Sequence, residues 1–332
     1  MANIRGYIPE RVKELARRLR AVILSLDLRT ARIPELSERE RMASGDFSVI
    51  VPIHDAPEVT ARCLSSIGRY GGDAEVILVD DGSRQERTVK LIQQTVEEMS
   101  WKLIRHDTPL RHSRACEAGG RLATRKYLLF LNSDAILTPW TWCGAWDAFA
   151  ADPGIALVGP STSLGTFQVA APRARHCARY WTNEQVSAFA QKYVRRQPPD
   201  ALVEVSDLVG FALYIRREVW EQCGGFHPDL PDYGNENELC KRLRRDGARI
   251  GWTRASYVHH IGACSIRHVI TAQEKLRRHE AARRFIDQLY PEEQVQWSDS
   301  GRPRADGARL VAPAQMTYVS CRRSAGGPEA VR

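Results

Sequence analysis

Four short segments of this 332-residue chain carry side chains suited to chemistry on a polar ligand. Asp80-Asp81-Gly82-Ser83 follows an apolar run. Carboxylates there can accept hydrogen bonds from a nucleobase N–H or from ribose hydroxyls, and Gly82 lets the backbone turn tightly beside a ligand. The same residues also suit a turn in which Asp caps the next helix. Asn132-Ser133-Asp134 follows a second apolar run. A divalent ion bridging two phosphates takes one or two carboxylates beside the phosphate oxygens, and Mn2+ accepts nitrogen as well. With Asn at the first place, Asp134 must be the principal ligand. Tyr233-Gly-Asn-Glu236-Asn-Glu238 opens a helix, whose dipole favours ionised acids. Glu236 and Glu238 are two apart and so point in different directions. One can face a bound substrate as a general base while the other caps the helix or holds a cation. In Tyr257-Val-His259-His260 the adjacent histidines of a strand lie on opposite faces, so one of them can enter a crevice. A zinc set drawn from these histidines with Cys264 and His268 fits no closed zinc module.

These residues need a frame, and the apolar pattern supplies one. Phe47–Ile53, residues 74–80 and residues 126–131 are short Val-, Ile- and Leu-rich runs, each ending in turn chemistry. Helical patterns separate them: one opened by Asp55-Ala-Pro57, one near 84–98, one near 113–124. Proline is tolerated in a first helical turn because its missing N–H has no partner there. A short strand is expected at 101–104 and a helix from Thr138-Pro139 to about 150. Buried strands alternating with helices imply a largely parallel α/β sheet with polar ligands at the carboxyl ends of the strands. After Ile155–Val158 the pattern loosens. A helix is expected at 183–195, order returns at 205–215 and 217–222, a helix over 235–246 stops at Gly247, and strands near 248–253 and 256–260 precede a helix near 269–289. Residues 27–46 read as a linker, and the Gly-, Pro- and Arg-rich tail after 298 as loosely packed.

The formal net charge of +8 suits an anionic partner. Residues 8–25 form a basic amphipathic pattern, with Ile8, Val12, Leu15, Leu19 and Val22 at helical spacing, which allows peripheral contact with an anionic membrane. Eight scattered cysteines without a C-x-x-C pair favour reduced thiols. No apolar stretch reaches the roughly 20 residues of a membrane span, and the first twenty residues lack a signal-peptide core. A cytoplasmic protein is therefore expected. Phosphate-loop, dinucleotide, metalloprotease and serine-elbow motifs are absent, as is the aromatic and basic interleaving of single-strand nucleic-acid binders.

In this order, FSVIVPIHD, AEVILVDDGS, the Arg114–Gly119 segment before KYLLFLNSDA, VGFALYIRREVWEQCGGF, YGNENELCKRLRRDG and YVHHIGACS resemble the family 2 glycosyltransferases of GT-A fold. The likeness spans roughly 47–266. It implies residues 1–46 as a basic helix and linker, 47–158 as a nucleotide-binding half, 159–266 as an acceptor half, 267–297 as a C-terminal helix and 298–332 as a tail. It further implies inverting transfer of a sugar from a nucleoside-diphosphate donor to a saccharide or lipid-linked acceptor, with Mg2+ or Mn2+. Asp81, beside Asp80, would contact the base or ribose, with Pro52 and His54 lining that pocket and Arg114 or Arg111 meeting the diphosphate charge. Asp134 and His260 would hold the metal, Glu236 would be the base, and Gly210, Phe211 and Glu238 would border the acceptor. Three departures stand out: Asn235-Glu236 where the family has Glu-Asp, Glu117 where it often has Asn, and Arg111-His112 for a frequent Gly-Phe. A nucleotidyltransferase would carry a phosphate loop after its first strand, which this chain lacks. A non-catalytic binder of sugar nucleotides or glycans is the reading from another class.

Overall fold

Each apolar run becomes a buried strand. The computed structural model describes residues 10–28, 32–164, 168–170, 178–198, 201–262 and 271–291. The tail after 298, and Cys177, Cys264, His268 and Cys321, lie outside the described residues. The chain opens with α1 (Glu10–Ser25) and α2 (Glu38–Ser44). Helix α2 falls within the stretch expected to be linker. Ser37 accepts from the Glu40 N–H as its cap, and the Glu40 carboxylate is buried, accepting the N–H groups of Trp142 at 2.7 Å and Cys143 at 3.1 Å.

From there strand and helix alternate: β1 (Phe47–Ile53), α3 (Pro57–Tyr70), β2 (Glu75–Asp81), α4 (Glu86–Met99), β3 (Lys102–His106), α5 (His112–Leu122) and β4 (Tyr127–Leu131). Strand β1 is buried along its whole length, as its uninterrupted apolar run requires. It pairs in parallel with β2 and β4, and β2 with β3. Asp55 was expected to open α3. Its carboxylate instead accepts the Arg84 and Gln85 N–H groups ahead of α4, while Ala56, in a left-handed conformation, precedes Pro57 at the start of α3.

The second half departs more from expectation. Ala135–Ile136 forms a two-residue strand, β5, and the helix expected from Thr138 begins only at Cys143 (α6, Cys143–Ala151). The Thr141 hydroxyl accepts the Thr138 N–H and donates to the Thr138 carbonyl, which holds the intervening turn. Then follow β6 (Ile155–Ser161), α7 (Asn183–Val194), β7 (Leu202–Glu204), β8 (Ala212–Arg216), α8 (Arg217–Cys223) and α9 (Asn235–Arg245). The two strands expected near 248–260 are one long strand, β9 (Arg249–Tyr257), and a two-residue strand, β10 (His259–His260), before α10 (Ala272–Leu289). The main sheet runs β3-β2-β1-β4-β8-β6-β9-β7. Strand β8 enters antiparallel to both β4 and β6, so the sheet is mixed. It carries the backbone from Phe211 directly past the end of β4, where the Asn132 N–H bonds the Phe211 carbonyl at 2.9 Å. Strand β10 pairs with β5 away from the main sheet. Among the described residues the cysteines are free thiols, four of them buried and Cys223 half-buried. No described helix is long and apolar enough to cross a membrane.

Candidate active site

The β5–β10 ribbon pairs Ala135 with His260 and so brings His260 against the turn that carries Asp134. His260 Nε2 stands 3.4 Å from Asp134 Oδ1. His260 Nδ1 faces the Leu164 carbonyl at 3.4 Å. A carboxylate oxygen and an imidazole nitrogen meeting this way suit a shared cation. Among the described residues no group of three or more His, Cys, Asp or Glu side chains forms a closed metal site. Two protein donors, with phosphate oxygens and water completing the shell, are what Mg2+ or Mn2+ takes on a diphosphate. His259 points the other way, as strand alternation requires. It is fully buried, bonded to Ser163 at 2.9 Å and Tyr257 at 3.2 Å, and burial pushes its pKa down to about 3.

A second wall faces this pair. The Phe211 ring stacks on His260, with centroids 5.1 Å apart and planes 15° from parallel. The preceding residue, Gly210, lies against Glu236, and its N–H bonds the Glu236 carboxylate. Burial pushes the Glu236 pKa up to about 7, and the nearby Asp207 charge adds to the rise. Among the described residues no arginine holds Glu236. The neighbouring acids are held: Asp232 accepts the Arg111 guanidinium and Arg278 at 2.9 Å, and Glu238 accepts Arg242 twice at 2.9 Å and the Tyr290 hydroxyl at 2.8 Å. Glu238 is 1 % exposed. It is a structural ion pair within α9 rather than the acceptor contact expected of it.

His112 closes the circuit, and sequence reasoning missed its role. Its Nε2 is 3.1 Å from Asn132 Oδ1 and its Nδ1 is 3.3 Å from Asn235 Nδ2. Burial lowers its pKa, so the ring is neutral. The Nε2–H tautomer, donating to Asn132 and accepting from Asn235, satisfies both partners. Asn235 also donates to the Ser113 hydroxyl at 2.9 Å and accepts the Glu236 N–H at 2.9 Å. Two of the three departures from the family pattern, His112 and Asn235, thus contact each other. That pairing of His and Asn types was the available signal.

The residues expected to hold a nucleotide divide. Pro52 is buried in β1 opposite Val79, and His54 at the end of β1 bonds the Asp81 carbonyl at 2.8 Å, so both sit at the joined ends of β1 and β2. The two carboxylates, however, are enclosed. Asp80 accepts Arg105 and the Ser83 N–H. Asp81 accepts His106 and the N–H groups of Leu110 and Arg111, each at 2.8 Å. Their bonds clamp the 83–111 loops and leave them little capacity for a base or ribose. Gly82 does take the positive φ expected, at +66°, but its close neighbour is Pro109. Arg114 is exposed on α5 and pairs with Glu117 at 3.0 Å, away from the ribbon, and Arg111 is committed to Asp232. The Arg111 clamp holds a backbone at φ +76°, ψ 169°, a conformation suited to glycine. The site is thus a ring of contacts running Asp134, His260, Phe211, Gly210, Glu236, Asn235, His112 and Asn132.

Residues 48–223 match the family described as glycosyl transferase family 2. The O-antigen biosynthesis protein RfbC of Myxococcus xanthus is 27% identical over 257 residues, 73% of this chain and 18% of that protein. A PGL/p-HBAD biosynthesis glycosyltransferase of Mycobacterium tuberculosis is 39% identical over 95 residues, 28% of this chain and 37% of that protein. The chain therefore spans well under half the length of these curated relatives. Among solved structures, GalNAc-T7 with UDP, GalNAc and Mn2+ superposes with a TM-score of 0.50 at 16% identity, covering 64% of this chain and 43% of that one. The mixed eight-stranded sheet flanked by helices is the GT-A fold. With more than half of its length matched to that family, the chain belongs to glycosyl transferase family 2.

Proposed function

We propose that this chain transfers a glycosyl group from a nucleoside-diphosphate sugar to a hydroxyl of a saccharide or lipid-linked saccharide, with inversion at the anomeric carbon. The observation that carries the reading is the unbroken path from Asp134 and His260 through Phe211 and Gly210 to Glu236. It joins a pair suited to a cation on the leaving diphosphate to a carboxylate able to take a proton. The likeness to a PGL/p-HBAD biosynthesis glycosyltransferase and to an O-antigen biosynthesis protein supports this class of reaction. GalNAc-T7, solved with UDP, GalNAc and Mn2+, is in keeping with it.

In this mechanism the donor lies along the carboxyl ends of β1, β2 and β4, against Pro52 and His54. Asp134 and His260 would hold a divalent ion, for which the imidazole nitrogen would favour Mn2+ over Mg2+. Bound there, the ion would supply charge neutralisation for the leaving diphosphate. Glu236 takes the acceptor proton as the hydroxyl attacks. Its pKa of about 7 suits a base working near neutral pH. Because the active form is the carboxylate, turnover rises as pH passes through about 7. Gly210 and Phe211 hold the acceptor edge and keep Glu236 and His260 apart. Attack by the acceptor hydroxyl on one face of the anomeric carbon, with the diphosphate leaving from the other, gives inversion. The buried free thiols support a reducing, cytoplasmic setting.

The test is steady-state transfer and donor hydrolysis with UDP-, GDP- and dTDP-sugars and Mn2+. Glu236→Gln is expected to lower turnover about 10²-fold or more while donor binding, read by thermal shift, changes little. Asp134→Ala is expected to abolish transfer and the Mn2+-dependent part of the thermal shift. Full turnover in Glu236→Gln would overturn the base assignment. Full turnover of the native chain in EDTA would overturn the metal assignment.

A further inference from the structure

Helix α1 is docked on the body by one face and carries apolar side chains on the other. Ala21 and Ser25 are 2 % and 1 % exposed. Glu14 accepts the Tyr180 hydroxyl at 2.6 Å, and the Trp181 indole donates to the Ala21 carbonyl at 3.3 Å. At 3.6 residues per turn, residues 14, 17, 21, 25 and 28 form the docked face. The opposite face holds Val12, Leu15, Leu19, Val22, Ile23 and Leu26, all exposed, with Leu15 at 68 % and Leu19 at 61 %. This ridge is continuous rather than scattered, and a soluble protein rarely exposes such a stripe without a use for it.

The flanks of the ridge identify the partner. Arg11 and Arg18 lie along one side and Lys13 and Arg20 along the other, all exposed. The one acid between residues 11 and 26 is Glu14, on the docked side. A second copy laid against this ridge would bring arginine and lysine opposite arginine and lysine, with no facing acids to offset them. An anionic lipid surface accepts both features: the apolar ridge enters the acyl boundary and the flanking cations meet headgroup phosphates. We propose that α1 docks this protein on an anionic membrane through Val12, Leu15, Leu19, Val22, Ile23 and Leu26.

The helix is tied to the candidate site by one apolar cluster. Ala21 and Leu28 share it with Ile136 and Ile261. Ile136 belongs to the ribbon that holds Asp134 against His260, and Ile261 directly follows His260. Docking would therefore hold the site at a fixed height over lipid, a fitting position for a lipid-linked acceptor. The docking itself does not depend on the sugar-transfer reading, because it is measured without donor or acceptor.

The experiment is co-sedimentation of the full chain with vesicles of phosphatidylcholine and phosphatidylglycerol, against vesicles of phosphatidylcholine alone. Binding is expected with the anionic vesicles, weakened by high salt. Leu15→Glu with Leu19→Glu should lower the partition coefficient at least about tenfold per leucine. Arg18→Gln and Arg20→Gln should each lower it about fivefold, equivalent to about 1 kcal/mol. Both leucines face solvent, so an unchanged melting temperature shows that the variant is folded. Equal binding to neutral vesicles, or unaltered binding by the double Glu variant, would overturn the proposal. So would a native dimer that the double Glu variant splits without loss of vesicle binding; the ridge would then be a self-interface.

Discussion

Gly210→Ala tests the base assignment without touching the base. A methyl at 210 would stand 3.0 Å from Glu236 Cδ, 3.2 Å from Oε1 and 3.3 Å from Cγ. Ordinary carbon contacts lie at about 3.5–4 Å, so the Glu236 carboxylate must retreat by several tenths of an ångström. Gly210 has no positive φ, so alanine fits its backbone. The displaced group is the end of a flexible side chain, and stability should change by about 1 kcal/mol or less. Catalysis is less tolerant. A displacement of about 1 Å in a reacting group costs on the order of 10²-fold, so a fraction of that should cost about tenfold in turnover, or about 1.4 kcal/mol of barrier. The retreat also weakens the Gly210 N–H bond that favours the carboxylate form. The Glu236 pKa should then rise further, moving the ascending limb of the pH–rate profile above its native position near 7. The assay is steady-state transfer from about pH 6 to 9 with saturating donor, beside donor affinity from thermal shift. The loss should be larger at neutral than at alkaline pH, with donor affinity unchanged. Unaltered turnover and an unmoved limb, or a matching loss of donor affinity, would refute the role given to Glu236.

Arg111 offers a comparison in which glycine should outperform alanine. Both Arg111→Ala and Arg111→Gly lose the bond to Asp232, but only glycine relieves the backbone at φ +76°. Chemical denaturation should find the Gly variant more stable by about 1 kcal/mol or more; the reverse order would show that the backbone there is unstrained. Glu40 is 6 % exposed, and its pKa is raised to about 7 by burial. Its contribution to stability is fully present below about pH 4.5 and is lost as pH rises through about 7. Glu40→Gln keeps an oxygen for the Trp142 N–H and should remove on the order of 2–3 kcal/mol of that pH dependence; an unchanged slope between those pH values would count against it. His112→Phe fills the ring's space but leaves the Asn132 and Asn235 amides without their partner. It should cost about 1–3 kcal/mol of stability and lower turnover, with His112→Gln recovering part of both. Equal behaviour of the two variants would make the ring's bulk its whole contribution.

The parallel half of the sheet was legible because its strands are buried on both faces. Uninterrupted apolar runs such as Phe47–Ile53 have one reading at that length, and turn residues mark their ends. The positions of Asp134 after a strand and of Glu236 in a first helical turn were legible for a related reason: each lies beside a recognisable element boundary. The entry of β8 antiparallel between β4 and β6 was not legible, because Ala212–Arg216 is fully buried and a buried strand's composition does not record its direction. Helix α2 was hidden by its polar composition, although Ser37 and Glu40 stand at capping-box spacing. The inward turn of Glu238 also left a trace, since Arg242 lies one helical turn on. The enclosure of Asp81 left none. His106, Leu110 and Arg111 reach it through a loop whose path depends on the whole sheet edge.

The two-residue ribbon has a bearing on how the protein is made. Strands β1 to β4 are complete once residue 131 has left the ribosome, and their pairings are comparatively local. The partner of Asp134 is not available until residue 260 has emerged. A nascent chain can therefore build its parallel half without acquiring the contact between Asp134 and His260. Because domains fold as synthesis proceeds, the capacity for chemistry arrives among the last properties of the chain. Closing that long loop then ties the assembly of this contact to the completeness of the molecule.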